Sequence, residues 1–187
     1  MATKADLLAH LTRLGIIVRS AHVKRALTSV DPNPSLNFWR LIYGTLLDVA
    51  VLEWCKIFGA DAEPTHWKRV VSDHDAFRSQ LLDSLHIAEV QWAAYREEMK
   101  AYRDGAVAHQ TDDPQVSSYP HLELALESSY FYYSYVIREL RRLGEKRFPD
   151  DLRNYSTAFR AQSRKIAERA ILATSAKSEE VDIDPGT

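Results

Sequence analysis

Only six glycines and seven prolines interrupt 187 residues, and most fall at the joints between long stretches in which apolar residues recur every three or four positions. That recurrence is the period of an α-helix, and no alternating pattern of the kind a strand needs competes with it. The chain is therefore expected to be all-α. Short connections between long helices favour antiparallel neighbours, so the expected architecture is an up-and-down bundle of four to five long helices.

The joints can be placed individually. Thr3 and Asp6 have capping-box spacing, and Leu7, Leu11, Leu14, Val18 and Ala21 follow at helical intervals, which predicts a first helix to about Ser29. The segment Asp31-Pro-Asn-Pro-Ser35 ends it. Ser35 is the expected cap of a second, broadly apolar helix containing Trp39, Ile42, Leu46, Ala50 and Trp54 and stopped by Gly59. The connector from Ala60 to Ser72 has room for one short helical turn. Ser72 or Asp73 then caps a region that carries Phe77, Leu81, Leu85, Trp92, Tyr95, Met99 and Tyr102 toward His109, with a kink near Ser84 left open. After a polar loop from Gln110 to Tyr119, Pro120 is the expected first position of a helix reaching about Arg142. A last helix from about Asp151 to Ala173 has a thin apolar stripe of Leu152, Tyr155, Phe159, Ile166, Ala170 and Ile171. Residues 1–175 are thus expected to form one domain and the acidic 176–187 a disordered tail.

Composition narrows the classes of function. The net charge of -2 offers no global attraction to nucleic acid or anionic membranes, so any RNA partner would have to meet a local patch. No window supplies the roughly 18 apolar residues that span a bilayer, and no leader is legible, so a cytoplasmic protein with no membrane partner is expected. The lone Cys55 cannot close an internal disulfide and reads as a buried thiol. There is no phosphate-binding glycine loop, no nucleophile elbow and no cysteine pair. No cofactor and no metal are called for.

One segment concentrates polar chemistry, Tyr102-Arg103-Asp104-Gly105-Ala106-Val107-Ala108-His109 at the end of the third helical region. At about 100° per residue, six steps leave His109 about 120° from Arg103, so the two do not share a stripe of a regular helix. Convergence needs either a bend, which Gly105 would ease, or a second subunit.

The pattern R-x(4–6)-H, with a polar residue directly after the arginine, an aromatic before it and small apolar residues before the histidine, resembles the HEPN family, the higher eukaryote and prokaryote nucleotide-binding domains. The Pro-broken loop before an apolar helix further resembles the subset associated with abortive infection, and the resemblance covers about residues 5 to 145. It implies a HEPN-like helical bundle and a dimeric, metal-independent endoribonuclease with two motif copies lining one cleft, as in toxins and defence effectors of bacterial systems. An antitoxin or a nucleotidyltransferase is the corresponding partner. Other members are inactive scaffolds or nucleotide-binding modules, which is the alternative.

The residue types suit RNA cleavage. His109 can take or give a proton near neutral pH, Arg103 can offer a charged fork to phosphate oxygens, and Asp104 can orient either. Arg96, Lys100 and Tyr102 are the candidate substrate-binding residues, the first two as a local basic track diluted by Glu97 and Glu98.

Other groups were candidates for chemistry. Asp83, His86 and Glu89 recur every three residues and could line one side of a helix as metal ligands, but the complementary Glu-x-x-His occurs only as Glu63 to His66, in an expected loop. The aromatic run Tyr130-Phe131-Tyr132-Tyr133-Ser134-Tyr135 reads as core packing with part left for an oligomer surface, and Arg138, Arg141, Arg142, Lys146 and Arg147 as a solvated helix end.

Overall fold

The protein is described by a computed structural model covering residues 2–107 and 119–175. These residues contain six α-helices and no strand: α1 Lys4–Val30, α2 Asn37–Phe58, α3 His74–Leu85, α4 Glu89–Tyr102, α5 Glu123–Arg142 and α6 Leu152–Ser175. A short 3-10 turn, Trp67–Arg69, lies in the α2–α3 connector, and a π-helical turn, Arg103–Val107, continues α4. Among the described residues no helix is long and apolar enough to cross a membrane.

The count exceeds the expected four to five because the third helical region is divided. His86 adopts a left-handed conformation (φ 55°) and donates its N–H back to Asp83 and Leu82 carbonyls, so α3 ends at Leu85, one residue beyond the kink left open near Ser84. α4 restarts at Glu89 with the Ala88 N–H donating to the Gln91 side chain at 2.8 Å. The break also separates Asp83, His86 and Glu89 onto a helix, its cap and the next helix, which removes the single line of ligands that their spacing implied. Among the described residues no cluster of His, Cys, Asp or Glu is arranged to hold a metal.

Two helix starts differ from expectation. α2 is capped by Leu36, not Ser35, and without a side-chain bond. α5 begins at Glu123 after Leu122, three residues beyond Pro120. In both cases the preceding proline-containing stretch stays extended or turned for longer than the apolar period suggests. The first cap forms as read: Thr3 Oγ1 accepts from the Asp6 N–H at 3.2 Å while the Asp6 carboxylate accepts from the Thr3 N–H at 2.9 Å.

α1 is the hub, packing on α2, α5 and α6, while α3 lies on α5 and α4 on α2. The core joins Leu14, Ile17 and Val18 to Trp54, Phe58, Trp92, Met99, Tyr132 and Val136. Trp54 sits at its centre, fully buried, its ring against Phe58, Trp92 and Tyr95 and its Nε1–H donating to Ser128 Oγ at 3.0 Å. Of the α5 aromatic run, Tyr132 and Tyr133 are buried in this packing, and Tyr130, Phe131 and Tyr135 are half-buried against it. Tyr132 bonds His10 Nδ1 at 2.9 Å, Tyr130 bonds His22 Nε2 at 2.8 Å, and Tyr133 donates to the Pro149 carbonyl.

α6 turns a different face inward than its apolar residues predict. Ser156, Ser163 and Ala167 are buried with Leu152 and Ile171, while Ile166 is 59% exposed and Tyr155 lies at the surface. Small side chains let the helix approach α1 closely, and Ser156 satisfies its hydroxyl on the Leu152 carbonyl at 2.6 Å. Arg141 joins α5 to the connector before α6 through the Glu145 and Phe148 carbonyls and Asp150, a structural tie, while Arg138, Arg142 and Arg147 of the same basic run stay exposed.

Candidate active site

The motif begins where α4 changes its winding. Arg103 is the first residue of the π-helical turn, whose wider i to i+5 bonding accommodates one residue more per turn than the α form. Gly105 lies within it, and the departure from a regular helix here is a local widening. Such turns recur at functional sites because they reorient side chains without ending the helix. His109 and the loop residues 110–118 lie outside the described residues.

Arg103 is four-fifths buried. Its Nε–H donates to Asp104 Oδ1 at 2.7 Å and Nη1 stands 3.6 Å from Glu63 Oε1. The Asp104 carboxylate holds the guanidinium charged, above the usual arginine range. Within the electrostatic reach of Arg103 is the buried Cys55, whose Sγ–H donates to the Met99 carbonyl at 3.6 Å and whose thiol is pushed up to about 12 by burial, so it is inert as a nucleophile at neutral pH. Tyr102 points the other way. Its ring is 5% exposed, and its hydroxyl donates to Asp48 Oδ1 of α2 at 2.7 Å, an arrangement that with burial keeps the phenol protonated.

The expected basic track is engaged within the fold. Arg96 donates Nε–H to the Phe58 carbonyl at 2.8 Å and Nη2–H to the Gly59 carbonyl, which satisfies the exposed C-terminal end of α2. Lys100 pairs with Glu97 at 3.0 Å. The structure therefore brings Arg103 and Asp104 into contact, and it directs Tyr102 to α2, Arg96 to the end of α2 and Lys100 to its own helix.

The second wall of the site comes from the α2–α3 connector, which motif reading passed over. Thr65 Oγ1 ties this loop to the Lys56 carbonyl at 3.2 Å, and the loop then sets Glu63 beside Arg103 and Asp61 beside Lys68, His66 and Arg96, at 2.5, 3.4 and 3.8 Å. His66 is 1% exposed, accepts the Lys68 N–H on Nδ1, and keeps Nε2 without a hydrogen-bond partner. The one sequence signal for this wall was the Glu63-to-His66 spacing, visible but attached to the wrong chemistry. The two residues serve an arginine and a buried polar corner.

Protein-family models, curated proteins and solved structures give no match to this chain.

Proposed function

We propose that this chain is a HEPN-like helical protein that cleaves RNA as a homodimer without a metal ion, as a toxin or defence effector of a bacterial cytoplasm, checked by an antitoxin or nucleotidyltransferase partner. The observation that carries the reading is Arg103 at the head of a π-helical turn, oriented by Asp104, in the segment whose residues resemble the family motif. In the reaction the 2′-hydroxyl attacks the adjacent phosphorus and gives up its proton, and the 5′-oxygen leaves with a proton, so that a 2′,3′-cyclic phosphate and a 5′-hydroxyl result. His109 would exchange those protons, and Arg103 would neutralise charge on the non-bridging oxygens.

The test is cleavage of RNA by the purified chain in EDTA. Arg103→Ala and His109→Ala should each abolish cleavage with helicity by circular dichroism unchanged; retention of cleavage in both removes these residues from the mechanism.

A second reading, a catalytically silent interaction or nucleotide-binding module, is favoured by one observation. Arg103 is met by the Asp104 and Glu63 carboxylates, which offset the charge a phosphate would need. On this reading no RNA is cleaved under any condition.

A further inference from the structure

A cavity of about 300 Å³ lies between the C-terminal half of α1, the proline loop and the N-terminal half of α2. Among the described residues that line it are two cations, Lys24 and Arg40, and no carboxylate. Lys24 is half-buried beside Arg25, an unfavourable setting for an ammonium group. Arg40 is fixed at the rim, with Nε–H on the Pro34 carbonyl at 3.0 Å and Nη1–H on Asn37 Oδ1 at 3.2 Å. Thr28 adds a buried hydroxyl without a hydrogen-bond partner, a group whose desolvation is uncompensated in this state.

Aromatic surface accompanies these polar groups. Tyr43 commits its hydroxyl to the Asp31 carbonyl at 2.8 Å, so its ring is what it offers the cavity. Tyr119 is 70% exposed at the edge. Gly44 opens the wall between them, since a Cβ there would meet nothing within 4 Å. Paired cations with a spare hydroxyl suit a phosphate, and tyrosine faces suit a planar ring. The volume stands at the lower end of ligand sites, roughly 300–1,000 Å³, which fits one nucleotide and excludes an oligonucleotide.

We propose that this cavity binds a single nucleoside phosphate, with the phosphate on Lys24, Arg40 and the Thr28 hydroxyl and the base against Tyr43 and Tyr119. The site stands independently of ribonuclease activity. It also adjoins the motif, because the Tyr119 ring centroid lies 6.2 Å from that of Tyr102, so the nucleotide can be free or part of an RNA.

Titration calorimetry on the full chain tests this with three probes: AMP, inorganic phosphate, and a short RNA with every 2′-hydroxyl methylated so that it cannot be cleaved. AMP or the RNA should bind, and inorganic phosphate more weakly than either. Lys24→Gln should weaken binding at least about tenfold. Gly44→Leu, which replaces a helix-interior glycine where a Cβ has space, should block the cavity and abolish binding with helicity retained. Binding of AMP marks a free nucleotide as ligand, and binding of the RNA alone marks a subsite. The proposal is overturned if neither probe binds in the millimolar range, or if both variants bind within about twofold of the parent chain. A chain that binds AMP through Lys24 and cleaves no RNA keeps this site and loses the ribonuclease reading. Arg103-dependent cleavage with nucleotide binding indifferent to Lys24 and Gly44 does the reverse.

Discussion

Three buried histidines should make this fold sensitive to mild acid. His10, His22 and His66 are 2%, 5% and 1% exposed, and in each case burial, the dominant cause, lowers the imidazole from its ordinary 6.5 to about 4. Neighbouring charges adjust this: Arg13 lowers and Asp6 raises His10, Arg25 and Arg160 lower His22, and for His66 Asp61 opposes Arg96, Lys68 and Arg78. A folded pKa below the unfolded one means that the unfolded chain binds more protons, so stability is fully present above pH 6.5 and is lost as pH falls toward 4. At pH 5 each imidazole costs about 2 kcal/mol relative to pH 7, and the three together roughly 5–6 kcal/mol. That approaches the whole stability of a typical domain, about 5–15 kcal/mol. The Asp6, Glu53 and Glu127 carboxylates, all lowered, add their own loss only in the carboxylate range below this window. Urea unfolding followed by circular dichroism at pH 7, 6 and 5 measures the slope directly. His22→Gln, which cannot titrate, should remove about a third of it. A stability change under about 1 kcal/mol between pH 7 and 5 would refute burial as the controlling term.

Three further outcomes follow from single contacts. Trp54→Ala should cost about 3–5 kcal/mol by urea unfolding, since it empties the centre of the core and removes the donor to Ser128; a cost under about 1 kcal/mol would mean the core closes over the void. Tyr102→Phe keeps the ring but leaves the Asp48 carboxylate without its 2.7 Å donor, and should cost about 1.5–3 kcal/mol, read by the same assay, with an unchanged melting curve counting against the contact. Glu63→Gln should raise the affinity for uncleavable RNA by up to about fivefold, the equivalent of about 1 kcal/mol for a part-exposed ion pair, whereas weaker RNA binding would make Glu63 a support of Arg103 and not its competitor.

Helix periodicity carried most of the fold because it depends on neighbours three and four residues apart. The Thr3 cap, the Gly59 stop and the apolar face of α2 are all such local facts. What was not legible depends on contacts far along the chain. The inward face of α6 is chosen by how closely Ser156, Ser163 and Ala167 let it approach α1, and small polar residues give no signal in an apolar stripe. The division at His86 rests on a left-handed residue with no glycine to announce it. In the same way the motif named Arg103 and Asp104, but its neighbour Glu63 lies forty residues earlier, in a loop whose path nothing local fixes.

The electrostatics of the site follow from that distant loop. Arg96 would be a free cation on an isolated α4, yet α2 ends against it with two carbonyls to satisfy, and Lys100 is answered by Glu97 within the helix. Of the three cations that α4 and its π-helical turn carry toward the motif, Arg103 is therefore the one not committed to the helix framework, and the two carboxylates that meet it differ in kind. Asp104 is adjacent in sequence and within hydrogen-bond distance of Nε, so it orients the guanidinium wherever the turn goes. Glu63 approaches Nη1 at 3.6 Å, outside hydrogen-bond distance, from a separate loop. A phosphate can take the place of the second without disturbing the first. On the proposed reading, an anion bound here would exchange one weak ion pair for a charge-assisted hydrogen bond, and the position of the 60–65 loop would set the balance between a silent site and an active one.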